Sequence, residues 1–541
     1  MKRRWNGWGR EDYHLPLSPT GKGYLHPRLG AGNCSGDAQL SELIRRVPTS
    51  RLPPHKQITT DAEDRVRHAR GQSLPDWIAI RSGGILTFPD GVAYPSSDQD
   101  VAELIDYAKK HELVIIPYGG GTSVLGHINP PGGDLACLTL DLSRMNRQIG
   151  LDPHSLMATF EAGVCGTDLE SRLQKQGFTL GHYPQSFEYS TLGGWIATRS
   201  CGQQSYHYGR IEDNFLGGKI ISPAGSLDLN PFPASAAGPD LRHLILGSEG
   251  RFGVITQATV RIRPVPEAEG FYAVIFHDWS SGIEAVRSLA QEHVGVSMLR
   301  LLDPVETEVT FFLSGRDRLA SLARRGFSMT GYSDERCLLI FSATGDSQRV
   351  RTARRKTIST CRAHGGLYLG SMIGNTWKKS RFTTPYLRNS LWEAGYALDT
   401  LETALPWVNV NKAGAAVKNA ITQAGEKSGS RVLVFSHVSH VYSTGASLYL
   451  TLVYPRSPDP DQMLEQWSQM KSAASQTILA SGGTISHQHG IGRDHLPYLE
   501  QEKGTLGMEV LASIARSFDP QGNLSPGVLI PHIPKTSEGE G

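Results

Sequence analysis

The stretch PYGGGTSVLGH, residues 117–127, places three consecutive glycines and two hydroxyls directly after the apolar run LVII. Without Cβ atoms in the way, backbone amides approach a ligand closely, and successive N–H groups form a nest for an anion. Gly119, Gly120, Gly121, Thr122 and Ser123 therefore suit a diphosphate, the alternative being a plain turn after a strand. The spacing fits neither the Walker loop, which ends in Gly-Lys-Ser/Thr, nor the G-x-G-x-x-G fingerprint, so some other loop is required. Three further pieces share the small-residue character: HYPQSFEYSTLGGWIATRSCG (182–202), LILGSEGRFGVIT (244–256) and the histidine-rich GGTISHQHGIGR (482–493).

The elements that must carry these pieces are legible from period and caps. In SSDQDVAELIDYAKKHEL, Ser97 is placed to cap a helix and Val101, Leu104, Ile105 and Ala108 form one apolar stripe. LVIIP reads as a buried strand, LACLTLDL and LMATFEAGV as further strands, and TDLESRLQKQGF as a helix opening with Thr167 and Glu170 in capping-box spacing. Strand and helix mix over residues 88–265. The prolines of VRIRPVPEAEG mark a boundary, after which FYAVIFHD, ERCLLIFSATGD and RVLVFSHVSHVYSTGASLYLTLVYP read as strands and DQMLEQWSQMKSAASQTILAS as a helix.

A chain of 541 residues exceeds one core and is expected to form two or more domains. With 54 basic against 52 acidic residues and no long basic run, nucleic acid is not an expected partner. Six scattered cysteines without C-x-x-C spacing suit a reducing compartment. No window of 18 apolar residues, no export signal and no peroxisomal address is recognised, so a bacterial, cytoplasmic or membrane-associated protein is the simplest expectation. PKTSEGEG at the end reads as frayed.

Taken in order, WNGWG near the start, IIPYGGGTSV, PQSFEYSTLGGW, GPDLRHLILGSEGRFGVIT, SMLRLLD, LETALPW and GGTISHQHGIG resemble the FAD-binding proteins of the vanillyl-alcohol oxidase type. Within that superfamily the chain is similar to the alkyldihydroxyacetonephosphate synthase family. The resemblance implies an α+β fold: a two-subdomain PCMH-type FAD-binding domain at 88–267 and an α+β cap domain with an antiparallel sheet at 268–480. An N-terminal extension at 1–87, partly helical, would precede them, and a segment at 481–541 would return to the flavin. It also implies that the glycine loop holds the FAD diphosphate. Gln185, Ser186, Phe187, Glu188, Tyr189, Ser190 and Thr191, then Thr198, Arg199, Ser200 and Cys201, would line the cofactor with Glu249, Gly250, Arg251, Phe252, Gly253, Val254 and Ile255. Thr122 stands where many relatives carry the histidine that bonds the flavin, so FAD is expected to be non-covalent.

Relatives that oxidise 2-hydroxy acids hold a divalent metal with an H-x-G-D-G-N-x-H strand and a Glu before the histidine of HGIG. Here the strand reads SHVYSTGASLY and the Glu position is Gln488, and a neutral amide with His440 does not reproduce that ligand set, so no metal is expected. Tyr449 aligns with the acid/base tyrosine of the synthases. A free phenol titrates near 10, so at neutral pH it needs a neighbour that accepts its proton. His487 and His489 match two of three successive family histidines and Gln488 replaces the middle one, which leaves the acid/base assignment open. His182 aligns with a further histidine beside the flavin. Arg300 and Arg388 match active-site arginines, whose planar fork suits a phosphate or carboxylate.

The reaction implied is an exchange without net redox change: acyl-dihydroxyacetone phosphate loses a proton at C1, expels its fatty acid while joined to flavin N5, and accepts a fatty alcohol. The alternatives kept are an FAD-dependent oxidase or dehydrogenase of an alcohol or 2-hydroxy acid, and a flavin-binding protein whose catalysis has decayed. Two long acyl chains call for an apolar tunnel. VTFFLSGRDRLASLARRGF (309–327), with Arg316, Arg318, Arg324 and Arg325, reads either as an ordinary surface helix or as an element touching a membrane peripherally. A homodimer is kept as an option.

Overall fold

The computed structural model describes residues 2–313 and 334–531. Ser97 caps the helix Asp98–Lys110, its hydroxyl accepting from Asp100 N, and Val101, Leu104, Ile105 and Ala108 are the residues it buries. That stripe closes over the sheet Ile58–Thr59, Gly91–Ala93, Cys137–Asp141 and Val114–Tyr118, whose last three strands run parallel. Residues near the C-terminus add to its edge: Ile115 N–H donates to Asn523 O at 2.9 Å and Ser525 N–H to Ile115 O at 2.9 Å. A second, antiparallel sheet carries Gln148–Asp152, Met157–Glu161, Val254–Arg261, Phe215–Ser222 and Gly225–Leu229 in that spatial order.

The expected capping box at Thr167 is not formed. The helix runs from Gly166, with Cys165, two residues before Thr167, at the cap position. Glu170 turns into the protein instead, accepting from Gly181 N at 2.8 Å, Leu180 N at 3.1 Å and Thr179 Oγ1 at 2.8 Å. Burial still pushes this carboxyl above its ordinary range.

The largest sheet is antiparallel and seven-stranded, in the order Leu367–Gly370, Ala268–Phe276, Cys337–Gly345, Met298–Leu302, Leu433–Val441, Gly445–Pro455 and Tyr396–Pro406. Successive side chains on a strand alternate between faces. One face buries Leu299, Leu301, Val438, Leu448 and Leu450 against the helix Trp407–Lys427. Its opposite face supplies Met298, Arg300, Leu302, Phe435, His437, Ser439, Tyr449, Thr451, Val453, Leu398 and Thr400 to a single large cavity. A register shift between Val438 and Val441 inserts an extra residue, so His440 reaches the same cavity as His437, three positions before it.

The membrane-touching element proposed for 309–327 has its four arginines outside the described residues, as does the PKTSEGEG tail. Among the described residues no helix is long and apolar enough to cross a membrane.

Candidate active site

The cavity encloses about 1340 Å³ between the cap sheet and the glycine loop. Pro117, Tyr118, Gly119, Gly120, Gly121, Thr122 and Ser123 form part of its wall, and the strand Val114–Tyr118 delivers them. Among the described residues, no acceptor is paired with the amides of Gly120, Gly121, Thr122, Ser123 or Val124. Five successive free donors at a cavity wall constitute a site for an anion. The diphosphate of FAD fits this donor set. The glycines serve packing as well: a Cβ on Gly120 would collide with the backbone oxygen of Tyr189, and one on Gly119 with Thr191 Oγ1. Gly120→Ala must displace residues 189–191, a strain of about 1–3 kcal/mol. The variant is expected to bind FAD about 10- to 100-fold more weakly, read from flavin absorbance retained per protein after dialysis.

Glu249 ties three segments into one wall. It is 2.9 Å from His127 Nε2, whose Nδ1 lies 2.6 Å from Ser123 Oγ of the loop, and it accepts from Ile491 N and Gly492 N at 2.6 and 2.7 Å. Gly250 and Gly253 take φ of +78° and +133°, turning the chain so that Glu249, Gly250, Gly253 and Ile255 line the cavity while Arg251 points away. Arg251 instead pairs with Asp519 at 2.7 Å, Phe252 stacks on Phe518, and Val254 lies in a core cluster. In the 182–202 piece, Gln185, Ser186, Ser190, Thr191, Thr198, Ser200 and Cys201 line the cavity. Phe187 stacks on Phe382, Glu188 accepts from Tyr386 Oη, Tyr189 Oη meets the same hydroxyl, and Arg199 pairs with Glu212. These four side chains support the wall rather than form it. Gly193 and Gly194, the small-residue core of this piece, line it too, as do Trp195 and His127, which were not singled out from the sequence.

Tyr449 faces the cavity between two imidazoles. His437 stacks on its ring at 5.0 Å and 15°, as the register pairing His437 with Tyr449 requires, and His489 meets it edge-on at 5.8 Å. Burial raises the phenol well above 10, with Glu402 and Asp399 acting the same way and a hydrogen bond to the Thr400 side chain opposing them. The resting residue is thus a protonated phenol. Glu306 accepts from Arg300 Nη2 at 2.9 Å and lies 2.8 Å from His437 Nδ1, and burial with Arg300 nearby lowers the His437 pKa. Arg300 is accordingly half committed to an ion pair, and what it gives the site is an oriented, neutral His437. His437 and Glu306 were missed in sequence reading; the SHVSH spacing was the available signal, readable only with the register in hand.

In HQHG it is Gln488 and His489 that line the cavity. Glu402, the register partner of Tyr449, accepts from both their amides at 2.6 and 2.9 Å. His487 turns behind them. Its Nε2 takes a hydrogen bond from Arg210 at 2.6 Å beside Tyr442 Oη at 2.6 Å, and burial lowers its pKa well below the ordinary value. His182 likewise stays out of the cavity: it is fully buried against Trp195, its Nε2 lies 3.2 Å from Ser200 Oγ, and burial drops its pKa to about 3. Neither imidazole lines the cavity: His182 lies behind Ser200 and His487 behind Gln488. His440, near Cys201 Sγ at 3.2 Å and Ser205 Oγ at 3.0 Å, does line the wall.

Arg388, on the helix Leu387–Glu393, projects into the cavity with its guanidinium 4.3 Å over Trp77. Nη1 donates to Gln72 O, while Nε and Nη2 are buried with no partner among the described residues. Burial lowers its pKa to about 10, which leaves it charged at neutral pH. An unpaired buried cation is costly, and a bound phosphate satisfies it. Beyond Arg388 the wall turns apolar, with Leu25, Leu302, Leu391, Leu398, Phe435 and Val453.

Just after HGIGR, burial pushes the Asp494 carboxyl up to about 7, Asp76 and Asp399 adding to the effect. The folded protein then holds a proton here that the unfolded chain has released, so stability falls as pH rises from about 4 to about 7. Asp494→Asn is expected to flatten that part of the Tm against pH curve, which thermal melts at pH 5 and pH 8 measure.

A free-amide glycine loop and a broad cavity under an antiparallel cap sheet define an FAD-binding protein of the FAD-linked oxidase type. Residues 89–228 match the family model described as FAD binding domain, and residues 265–529 that described as FAD linked oxidases, C-terminal domain. An alkyldihydroxyacetonephosphate synthase of Dictyostelium discoideum is 31% identical, covering 98% of this chain and 87% of its own length. The synthase of Trypanosoma brucei brucei is 28% identical, covering 99% and 93%. A solved structure of an alkyldihydroxyacetonephosphate synthase superposes with TM-score 0.83 at 28% identity, over 97% of this chain and 98% of that one. The chain belongs to the alkyldihydroxyacetonephosphate synthase family, and FAD is its cofactor. The two named relatives are eukaryotic, which gives the expected bacterial source no support.

Proposed function

We propose that the protein exchanges the acyl chain of acyl-dihydroxyacetone phosphate for a fatty alcohol, forming an ether lipid with no net change of redox state. The observation that carries this reading is one cavity holding the free amides of the glycine loop, the unpaired N–H groups of Arg388 and the phenol of Tyr449, continued by an apolar wall. When bound, FAD supplies an electrophilic ring that holds the three-carbon unit while its substituent is changed.

The chain's own residues then divide the work. The loop amides and Gly250 seat the cofactor. Arg388 holds the substrate phosphate, which fixes C1 relative to Tyr449. Tyr449 Oη takes the C1 proton as it passes its own to a neighbouring imidazole, His489 or His437, and returns it when the ether bond has formed. At C1 the ester C–O bond breaks and the fatty acid leaves as a carboxylate, while the alcohol oxygen takes its place and its hydroxyl proton is released to solvent. The apolar residues from Leu302 to Val453 accept the departing and incoming chains in turn. Incubation with labelled fatty alcohol and acyl-dihydroxyacetone phosphate is expected to give one fatty acid released per alcohol incorporated. Fatty acid release without incorporation would reduce the activity to a hydrolysis and remove the proposal.

The domain limits at 87, 267 and 480 belong to the same proposal, as does peripheral contact with a lipid surface, since both chains must enter from one. Co-sedimentation with anionic liposomes tests that contact.

A further inference from the structure

The WNGWG motif, residues 5–9, takes no part in the chemistry above, yet its glycines are required by what they touch. Arg3 and Arg10 form an antiparallel bridge and Arg4 N–H donates to Gly9 O at 2.8 Å, so residues 3–10 make a tight hairpin. A Cβ on Gly7 would collide with Asn389 Oδ1, and Gly9, at φ +86°, lies against the ring of Tyr386. Asn389 grips the hairpin tip with both amide atoms: Oδ1 accepts from Trp8 N at 3.1 Å and Nδ2 donates to Trp8 O at 2.9 Å. Arg81, 1% exposed, closes the joint, donating to Asn6 O at 2.7 Å and to Asn389 Oδ1 at 3.2 Å. At the other end the Arg3 guanidinium donates to Gly120 O, lies 3.5 Å from Gly121 O, and sits 5.0 Å over the Tyr189 ring.

We infer that this hairpin is a clamp that positions both halves of the active site. A peptide unit is planar, so a carbonyl drawn toward Arg3 fixes the direction of the N–H on the following residue. Gly120 O and Gly121 O set the amides of Gly121 and Thr122, two of the free donors at the cavity wall. Asn389 is the neighbour of Arg388 on one helix, so the grip on Trp8 fixes where the Arg388 guanidinium stands. Trp8 also lines the cavity and meets Tyr189 edge-on at 5.6 Å, which ties the hairpin to the segment packed behind Gly120. Arg3 and Asn389 are thus positioning residues, acting through the loop and through Arg388. The inference rests on the reading of the loop as the FAD site and of Arg388 as the phosphate site.

Two constants report on the two halves: the Kd of apo-protein for FAD, read by flavin fluorescence, and the KM for acyl-dihydroxyacetone phosphate. Arg3→Met and Asn389→Ala are each expected to raise both by about tenfold, because opening either end releases the whole hairpin. The double variant is expected to be no worse than the poorer single one. Arg3→Lys, which keeps the charge and loses the fork, is expected to fold and to give an FAD Kd between wild type and Arg3→Met. Wild-type FAD affinity in Arg3→Met and Arg3→Lys, or effects that multiply in the double variant, would overturn the clamp alone. Failure of the wild-type chain to bind FAD would overturn the cofactor reading and the clamp with it.

Discussion

Tyr449→Phe is expected to leave FAD bound and to lower alkyl exchange by about 10²–10⁴-fold, the usual share of a positioned acid/base group. The substitution removes one oxygen and preserves the ring that stacks on His437, so the packing loss is small. The effect should fall on kcat, because the phenol holds no part of the substrate phosphate. The raised phenol pKa also fixes a pH signature. A phenol kept protonated by burial can take the C1 proton only while a neighbour accepts its own, so the acid limb of the wild-type kcat profile should follow protonation of that neighbour and not the phenol itself. His489→Ala is the companion variant, and retention of full activity in Tyr449→Phe would remove the residue from the mechanism.

Arg388→Met is expected to lower kcat/KM for acyl-dihydroxyacetone phosphate by about 10²–10⁴-fold. Nε and Nη2 offer two hydrogen bonds to a charged group, each worth about 1.5–3 kcal/mol. Stability should move the other way. The guanidinium is buried, two of its nitrogens are unpaired, and burial already lowers its pKa to about 10, so a thioether of similar length stacked on Trp77 relieves a desolvation cost. A variant with Tm at or above wild type and a large loss in kcat/KM separates phosphate binding from scaffolding. A large fall in Tm with unchanged kcat/KM would assign Arg388 to the scaffold.

Much of this was readable from the chain. The stripe Val101, Leu104, Ile105 and Ala108 and the strand behind the glycine loop follow from period alone, and three glycines in a row announce a backbone that must stay bare. What the letters do not carry is register. That His440 reaches the cavity as well as His437 depends on an extra residue inserted between Val438 and Val441, and the importance of His437 comes from lying opposite Tyr449 on the next strand. Direction within a turn is equally hidden: Arg251 sits among cavity-lining neighbours, yet left-handed backbone at Gly250 and Gly253 sends it to Asp519. For HQHG the sequence offers two histidines and an amide of equal standing, and it is Glu402, 86 residues before Gln488, that places Gln488 and His489 forward and His487 behind. Glu170 shows the same limit from another side, since capping-box spacing also serves a carboxylate that three donors at 179–181 draw inward.

The most direct test of the account is the absorbance of the bound flavin during anaerobic turnover with acyl-dihydroxyacetone phosphate and labelled fatty alcohol, followed until exchange is complete. The account predicts that label enters the ether product while the spectrum returns to that of oxidised FAD with no electron acceptor present. Lasting bleaching by the alcohol alone, with no label transferred, would contradict it and identify an alcohol-oxidising flavoprotein instead.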